Sequence, residues 1–200
     1  IALTAAHVCF IEYNKEWYTY ENLNFRPGYN GKDDDENIDD GNYKGFSSDY
    51  EQIYFPSSYM INKDKTYDWA ICVLKKPLGH YLGYFALKHY DNPEDLKQIS
   101  VMATGYPAET KYGFNGKSQW ESGGEVYETN DITFKFYGNI YQGYSGGPTW
   151  QNDDEYTMVG ITSQADETSS YYGQSVITNR RIITLVTKLR EQWYEANPQS

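Results

Sequence analysis

Gly143-Tyr144-Ser145-Gly146-Gly147-Pro148 is the stretch around which this 200-residue chain can be organised. Glycines on both sides of a serine permit a tight backbone in which successive N–H groups point into one cavity beside an exposed hydroxyl. Read alone, the hexapeptide also fits G-x-S-x-G, the nucleophile turn of α/β-hydrolases, or a plain glycine-rich hairpin. Chain order separates these readings. In the α/β-hydrolase order the acid and the histidine both follow the serine, whereas His7, His80 and His89 all precede Ser145. The order that survives is His, Asp, Ser. His7 is its natural base, because it follows Leu3-Thr4-Ala5-Ala6, where small residues let the chain turn and leave an imidazole open.

Asp68 is the matching acid. It opens Trp69-Ala70-Ile71-Cys72-Val73-Leu74, a continuously apolar run that reads as a strand buried on both faces. A carboxylate there costs several kcal/mol unless a donor meets it, and an imidazole N–H is such a donor. Other strands are predicted over 17–25, 51–55, 100–104, 124–127, 132–136, 157–162 and 175–178, bounded by Gly, Pro, Asn or Asp. Short strands without helices between them predict a barrel or sandwich. The 22 Tyr, 5 Trp and 8 Phe fit a β-rich chain. Only the tail reads as helix: after Asn179 as a cap, Ile182, Val186, Leu189 and Trp193 share one face.

Charge narrows the partners. Lys and Arg total 17 against 28 Asp and Glu, a net charge of −11, which argues against nucleic acid and anionic membrane surfaces. No run of 18 apolar residues exists, so no membrane-spanning helix is expected. Two cysteines and three histidines with no HxxxH or CxxC spacing give no zinc signature, and no metal site is expected. Six acids lie in the eight residues from Asp33 to Asp40. They read as a solvated, self-repelling loop rather than a calcium site, since the EF-hand spacing is absent.

Leu3-Thr4-Ala5-Ala6-His7, Asp68-Trp69-Ala70-Ile71 and the hexapeptide around Ser145 together resemble the three catalytic motifs of trypsin-like serine proteases. Arg26-Pro27-Gly28-Tyr29-Asn30-Gly31, Tyr54-Phe55-Pro56-Ser57, Gly83-Tyr84-Phe85, and Gly105-Tyr106-Pro107 with Trp120 downstream look like the bacterial glutamyl-endopeptidase branch. The resemblance covers nearly the whole chain. It implies an all-β fold of two six-stranded antiparallel barrels of the chymotrypsin type with a C-terminal helix. Residues 1–92 would form the N-terminal barrel and 93–200 the C-terminal barrel with the helix. It also implies His7 as general base, Asp68 as its orienter, Ser145 as nucleophile, and the amides of Gly143 and Ser145 as the oxyanion hole. Ser163 matches the serine that supports the aspartate, and no cofactor is called for. The expected function is that of a secreted serine endopeptidase acting on polypeptide substrates, with a catalytically silent homologue as the alternative.

This sequence departs from the pattern in three places. Tyr144 precedes the nucleophile where trypsin-type zymogens carry an aspartate, so activation through that ion pair is excluded. Thr162 stands where glutamyl endopeptidases carry a histidine. The chain opens at the end of a barrel strand, so the preceding strands are expected to be missing from it or supplied by a separate chain. By the same resemblance, Asn139, Ile140, Thr162 and the stretch around Gly173 would line the primary specificity pocket, and an uncharged residue is expected before the scissile bond. Cys9 lies just beyond His7 and Cys72 just beyond Asp68, so pairing the imidazole with the carboxylate predicts either a Cys9–Cys72 bridge or two buried thiols in contact.

Overall fold

A computed structural model describes residues 1–14, 16–20, 23–29, 47–153, 155–166 and 169–198. The acidic run from Asp33 to Asp40 lies outside the described residues. The N-terminal half is organised by strand β6, Ala70–Leu74, all five residues of which are buried. It pairs antiparallel with β1, Ala2–Thr4, through Leu3 opposite Ile71, and with β5, Ser48–Tyr54. β4, Asn24–Phe25, extends the sheet to the order β1-β6-β5-β4, while β2, Phe10–Tyr13, and β3, Glu16–Thr19, form a separate hairpin.

This half has the incomplete, open form expected of an N-terminal barrel that lacks its first strands: among the described residues its strands make a curled open sheet and a hairpin that do not pair with each other. The hairpin buries Phe10 alone and leaves its other residues exposed or half-buried. The 17–25 strand expected from sequence is divided between β3 and β4. Three short helices were also not legible: α1, Ala6–Cys9, α2, Ser57–Asn62, and α3, Leu78–Leu82. Each is too short to display a helical repeat of apolar positions.

The C-terminal half closes. β8, Ser100–Gly105, β9, Trp120–Thr129, β10, Thr133–Tyr137, β11, Pro148–Gln151, β12, Thr157–Asp166, and β13, Ser169–Ile177, run in the order β11-β8-β9-β10-β13-β12. A further β11–β12 pairing joins the ends, which removes both sheet edges. Val101, Ala103, Val126, Phe134, Phe136, Val159 and Ile177 fill the interior. One short strand, β7, Ala86–Leu87, comes from before residue 92 and adds to β12 in parallel.

The chain ends in α4, Arg180–Ala196, capped by the Asn179 side chain, which accepts from the Ile182 amide at 3.1 Å. Its apolar stripe, with Ile182 and Leu189 fully in the core, packs in one cluster with Ala5, Trp69, Ile71 and Val73 of the N-terminal half and Met158, Ile161 and Val176 of the barrel. The helix therefore seals both halves together. No helix among the described residues is long and apolar enough to cross a membrane.

Cys9 and Cys72 are buried free thiols with Sγ atoms 4.0 Å apart, the second of the two expected outcomes. Their S–H···S contact pushes the Cys9 thiol up, burial adding to it, and holds Cys72 below its ordinary value. Oxidising the pair would close a 63-residue separation. In the chain-entropy picture that stabilises the fold by about 4 kcal/mol, or about 10 °C in melting midpoint. Calorimetry with a mild thiol oxidant and with a reductant is expected to show this difference, and Cys9→Ser to abolish it. Equal midpoints in the unsubstituted protein, with thiol titration confirming oxidation, would disprove the estimate.

Candidate active site

Ala5 and Ala6 have no exposed surface, and their small side chains let β1 turn directly into α1, whose second residue is His7. Asp68 follows the 3₁₀ turn Lys65–Tyr67 and is only 2 % exposed at the head of β6. The β1–β6 pairing brings these two places together. The Asp68 carboxylate receives the His7 backbone N–H on Oδ1 at 2.9 Å, and its Oδ2 lies 2.7 Å from His7 Nδ1. Ser163 Oγ, from the barrel strand β12, donates to the same Oδ2 at 2.6 Å. The buried carboxylate thus has three donors, which offset the cost of taking it out of water. With Nδ1 donating to Asp68, the neutral imidazole presents Nε2 as an acceptor, and the His7 side chain is 38 % exposed.

Ser145 lies on the loop that enters β11. Its Oγ donates to the Ser163 carbonyl oxygen at 3.4 Å, so one residue, Ser163, touches both the serine and the acid. The loop is held tightly: Tyr144 N–H donates to Tyr141 O at 3.1 Å, Gly146 N–H to Thr162 O at 2.7 Å, and Gly147 N–H to Tyr144 O at 3.0 Å. The amides of Gly143 and Ser145, in contrast, meet no acceptor among the described residues. Two such N–H groups beside a serine hydroxyl have the chemistry that can receive a negatively charged oxygen.

Two glycines make the loop possible. Gly143 has φ +107°, and a Cβ there would run into the Tyr106 carbonyl. Gly146 has φ +79° and lies so close to β1 that a Cβ would strike the Thr4 hydroxyl and sit 3.0 Å from the Ala5 amide. That second contact sets the serine loop against the element carrying His7. Tyr144, before the serine, is 2 % exposed. Burial, with Tyr141 and Glu121 nearby, pushes its phenol up to about 12, so it stays neutral.

The residues expected around a specificity pocket fall into two groups. Asn139 is exposed, its amide held by Ser122 Oγ at 2.7 Å, and it borders a shallow depression with Ser122, Gly123, Tyr137, Gly138, Tyr171 and Tyr172. Ile140, Thr162 and Gly173 are buried. Thr162 Oγ1 faces Thr149 Oγ1 at 2.9 Å, which in turn meets Ser175 Oγ at 2.6 Å, a chain of three hydroxyls without exposed surface. Its main chain serves the loop instead: N–H to Gly147 O at 2.9 Å and O to Gly146 N–H. Sequence reasoning missed this anchoring role and the Thr149–Thr162–Ser175 chain, because neither has a motif; the pairings follow only from the β11–β12–β13 register.

No family model matches the chain, and no curated protein does. Solved structures do. A Glu endopeptidase superimposes with a TM-score of 0.72 at 20 % identity, over 93 % of this chain and 79 % of its own. Protease Anisep from Arthrobacter nicotinovorans gives 0.71 at 21 % identity, over 94 % and 81 %. A thermostable serine protease, AL20, from an extremophilic microorganism gives 0.69 at 18 % identity, over 99 % and 84 %. The barrel, the curled half-barrel sheet and the C-terminal helix of this chain thus superimpose on bacterial serine proteases at about one residue in five identical, and its fold is of the chymotrypsin type.

Proposed function

We propose that the protein is a serine endopeptidase in which Ser145 is the nucleophile, His7 the general base and Asp68 the residue that orients His7. The observation that carries this reading is the Asp68 carboxylate itself, buried and bonded at once to His7 Nδ1 and to Ser163, whose carbonyl holds Ser145. A serine hydroxyl is a weak nucleophile until a neutral imidazole takes its proton, and the Nδ1 contact selects the tautomer that can do so. In the proposed cycle Ser145 Oγ attacks the peptide carbonyl carbon while its proton passes to His7 Nε2. The carbonyl oxygen becomes an oxyanion on the amides of Gly143 and Ser145. His7 then protonates the leaving amine, and the C–N bond breaks to give an acyl-enzyme. Water, deprotonated by the same imidazole, releases the acid and restores the serine. Action outside the cell on polypeptides belongs to the same proposal and rests on the family resemblance.

A labelled fluorophosphonate tests the reading directly, since it esterifies only a serine whose proton has an acceptor. Stoichiometric labelling of the folded protein, mapped to Ser145, is the expected result. A folded protein that is not labelled would instead be a silent homologue that keeps the fold as a binding surface.

A further inference from the structure

Thr149, Thr162 and Ser175 stand on the adjacent barrel strands β11, β12 and β13, and none has exposed surface. Thr149 Oγ1 takes the middle place, 2.9 Å from Thr162 Oγ1 and 2.6 Å from Ser175 Oγ. This chain of hydroxyls meets β12 at the point that serves Ser145. The main chain of Thr162 holds Gly146 and Gly147, and the next residue, Ser163, bonds both Asp68 and Ser145. β12 also changes register with β13 between Thr162 and Gln164, which makes Ser163 the extra residue of a bulge. Ile161 packs in the cluster that joins the two halves and Ser163 reaches Asp68, whereas Thr162 between them turns away, to Thr149. Shifted by one residue, β12 would carry Ser163 toward the barrel and off Asp68. Hydrophobicity does not choose between a threonine and a serine. The hydroxyls of Thr149 and Ser175, placed by their own strands, do.

We infer, on the basis of the protease reading, that Thr149 is a positioning residue: its hydroxyl ties Thr162 to Ser175 and so fixes the bulge that keeps Ser163 on Asp68 and Ser145. A buried polar chain whose members are all partnered holds one arrangement of a core, and deleting the middle member leaves two hydroxyls without partners. Thr149→Val keeps the shape and removes the hydroxyl. It is expected to lower kcat and the rate of fluorophosphonate labelling together by about 10- to 100-fold, the scale of a misplacement by about an ångström, with KM little changed. Thr149→Ser, which retains the hydroxyl, is expected to regain most of the rate.

Labelling and turnover, measured well below each variant's melting midpoint and referred to folded protein by calorimetry, test this. Parallel losses in Thr149→Val with recovery in Thr149→Ser support the inference, since a role in stability alone would move the midpoint and not the rate of the folded enzyme. A folded Thr149→Val labelled as fast as the unsubstituted protein overturns it and leaves the protease reading standing. A Thr149→Ser variant as slow as Thr149→Val also overturns it, because the loss would then belong to packing. Should Thr149→Val not fold, Ser175→Ala decides: it shortens the chain at the end away from the serine loop, and is expected to slow labelling at least threefold, an unchanged rate overturning the inference. Absence of labelling in the unsubstituted protein overturns both readings.

Discussion

Replacing Ser145 by alanine is expected to lower peptide hydrolysis by about 10⁶ in kcat, because members of a nucleophile–base–acid set act as a unit and loss of the nucleophile removes the whole covalent route. The fold is expected to be unaffected. The hydroxyl makes a single bond, at 3.4 Å to the Ser163 carbonyl, and the neighbouring amides that hold the loop do not pass through it. His7→Ala is expected to cost nearly as much. Turnover by the purified variants, with melting midpoints alongside, checks both statements. Retention of more than about a tenth of the activity in either would mean that another residue carries the chemistry.

Asp68→Asn is the second large effect. The amide keeps the size of the carboxylate, and its oxygen still accepts one bond, but its NH2 group cannot accept from His7 Nδ1 and Ser163 Oγ at the oxygen they now share. The imidazole is then driven to the other tautomer, with its proton on Nε2, and can no longer take one from Ser145. A loss of about 10⁴ in kcat is expected at neutral pH, with little change in KM. Stability is expected to fall by about 1.5–3 kcal/mol, the scale of a charge-assisted hydrogen bond removed from a buried group. Activity within tenfold of the unsubstituted protein would show that Asp68 holds the two halves together without orienting His7.

The parts of this molecule legible from its sequence are those with a local cause. β6 announced itself as an unbroken apolar run, α4 as a stripe with a cap, and the serine loop as glycines at fixed offsets. The partnership of His7 with Asp68 followed from chain order and from the cost of an unpaired acid beside β6. What stayed hidden depends on register. Nothing in Thr162 or Thr149 marks them as partners until β11 and β12 pair, with Thr149 opposite Gly160 and a shift before Trp150. The resemblance placed Ile140 and Gly173 side by side, but that Phe136 crowds the same glycine depends on the β10–β13 register and stayed hidden. The open form of the N-terminal sheet, in contrast, was legible, because the chain enters at the last residues of a strand, Ala2–Thr4.

The cluster that α4 completes has a consequence for how the chain can vary. Trp69, Ile71 and Val73 stand immediately after the proposed acid, and they share their contacts with Met158, Ile161 and Val176 of the barrel and with Ile182 and Leu189 of the helix. The halves bearing His7 and Ser145 are therefore not exchangeable cassettes. A half grafted from one of the structural neighbours, at about one residue in five identical, is expected to bring different side chains to this cluster and to pack it poorly. Changes in the two halves must come in matched sets, whereas the barrel's outer loops are free to drift one residue at a time. Divergence in such a chain should change this seam as a unit while the outer loops are rewritten around it.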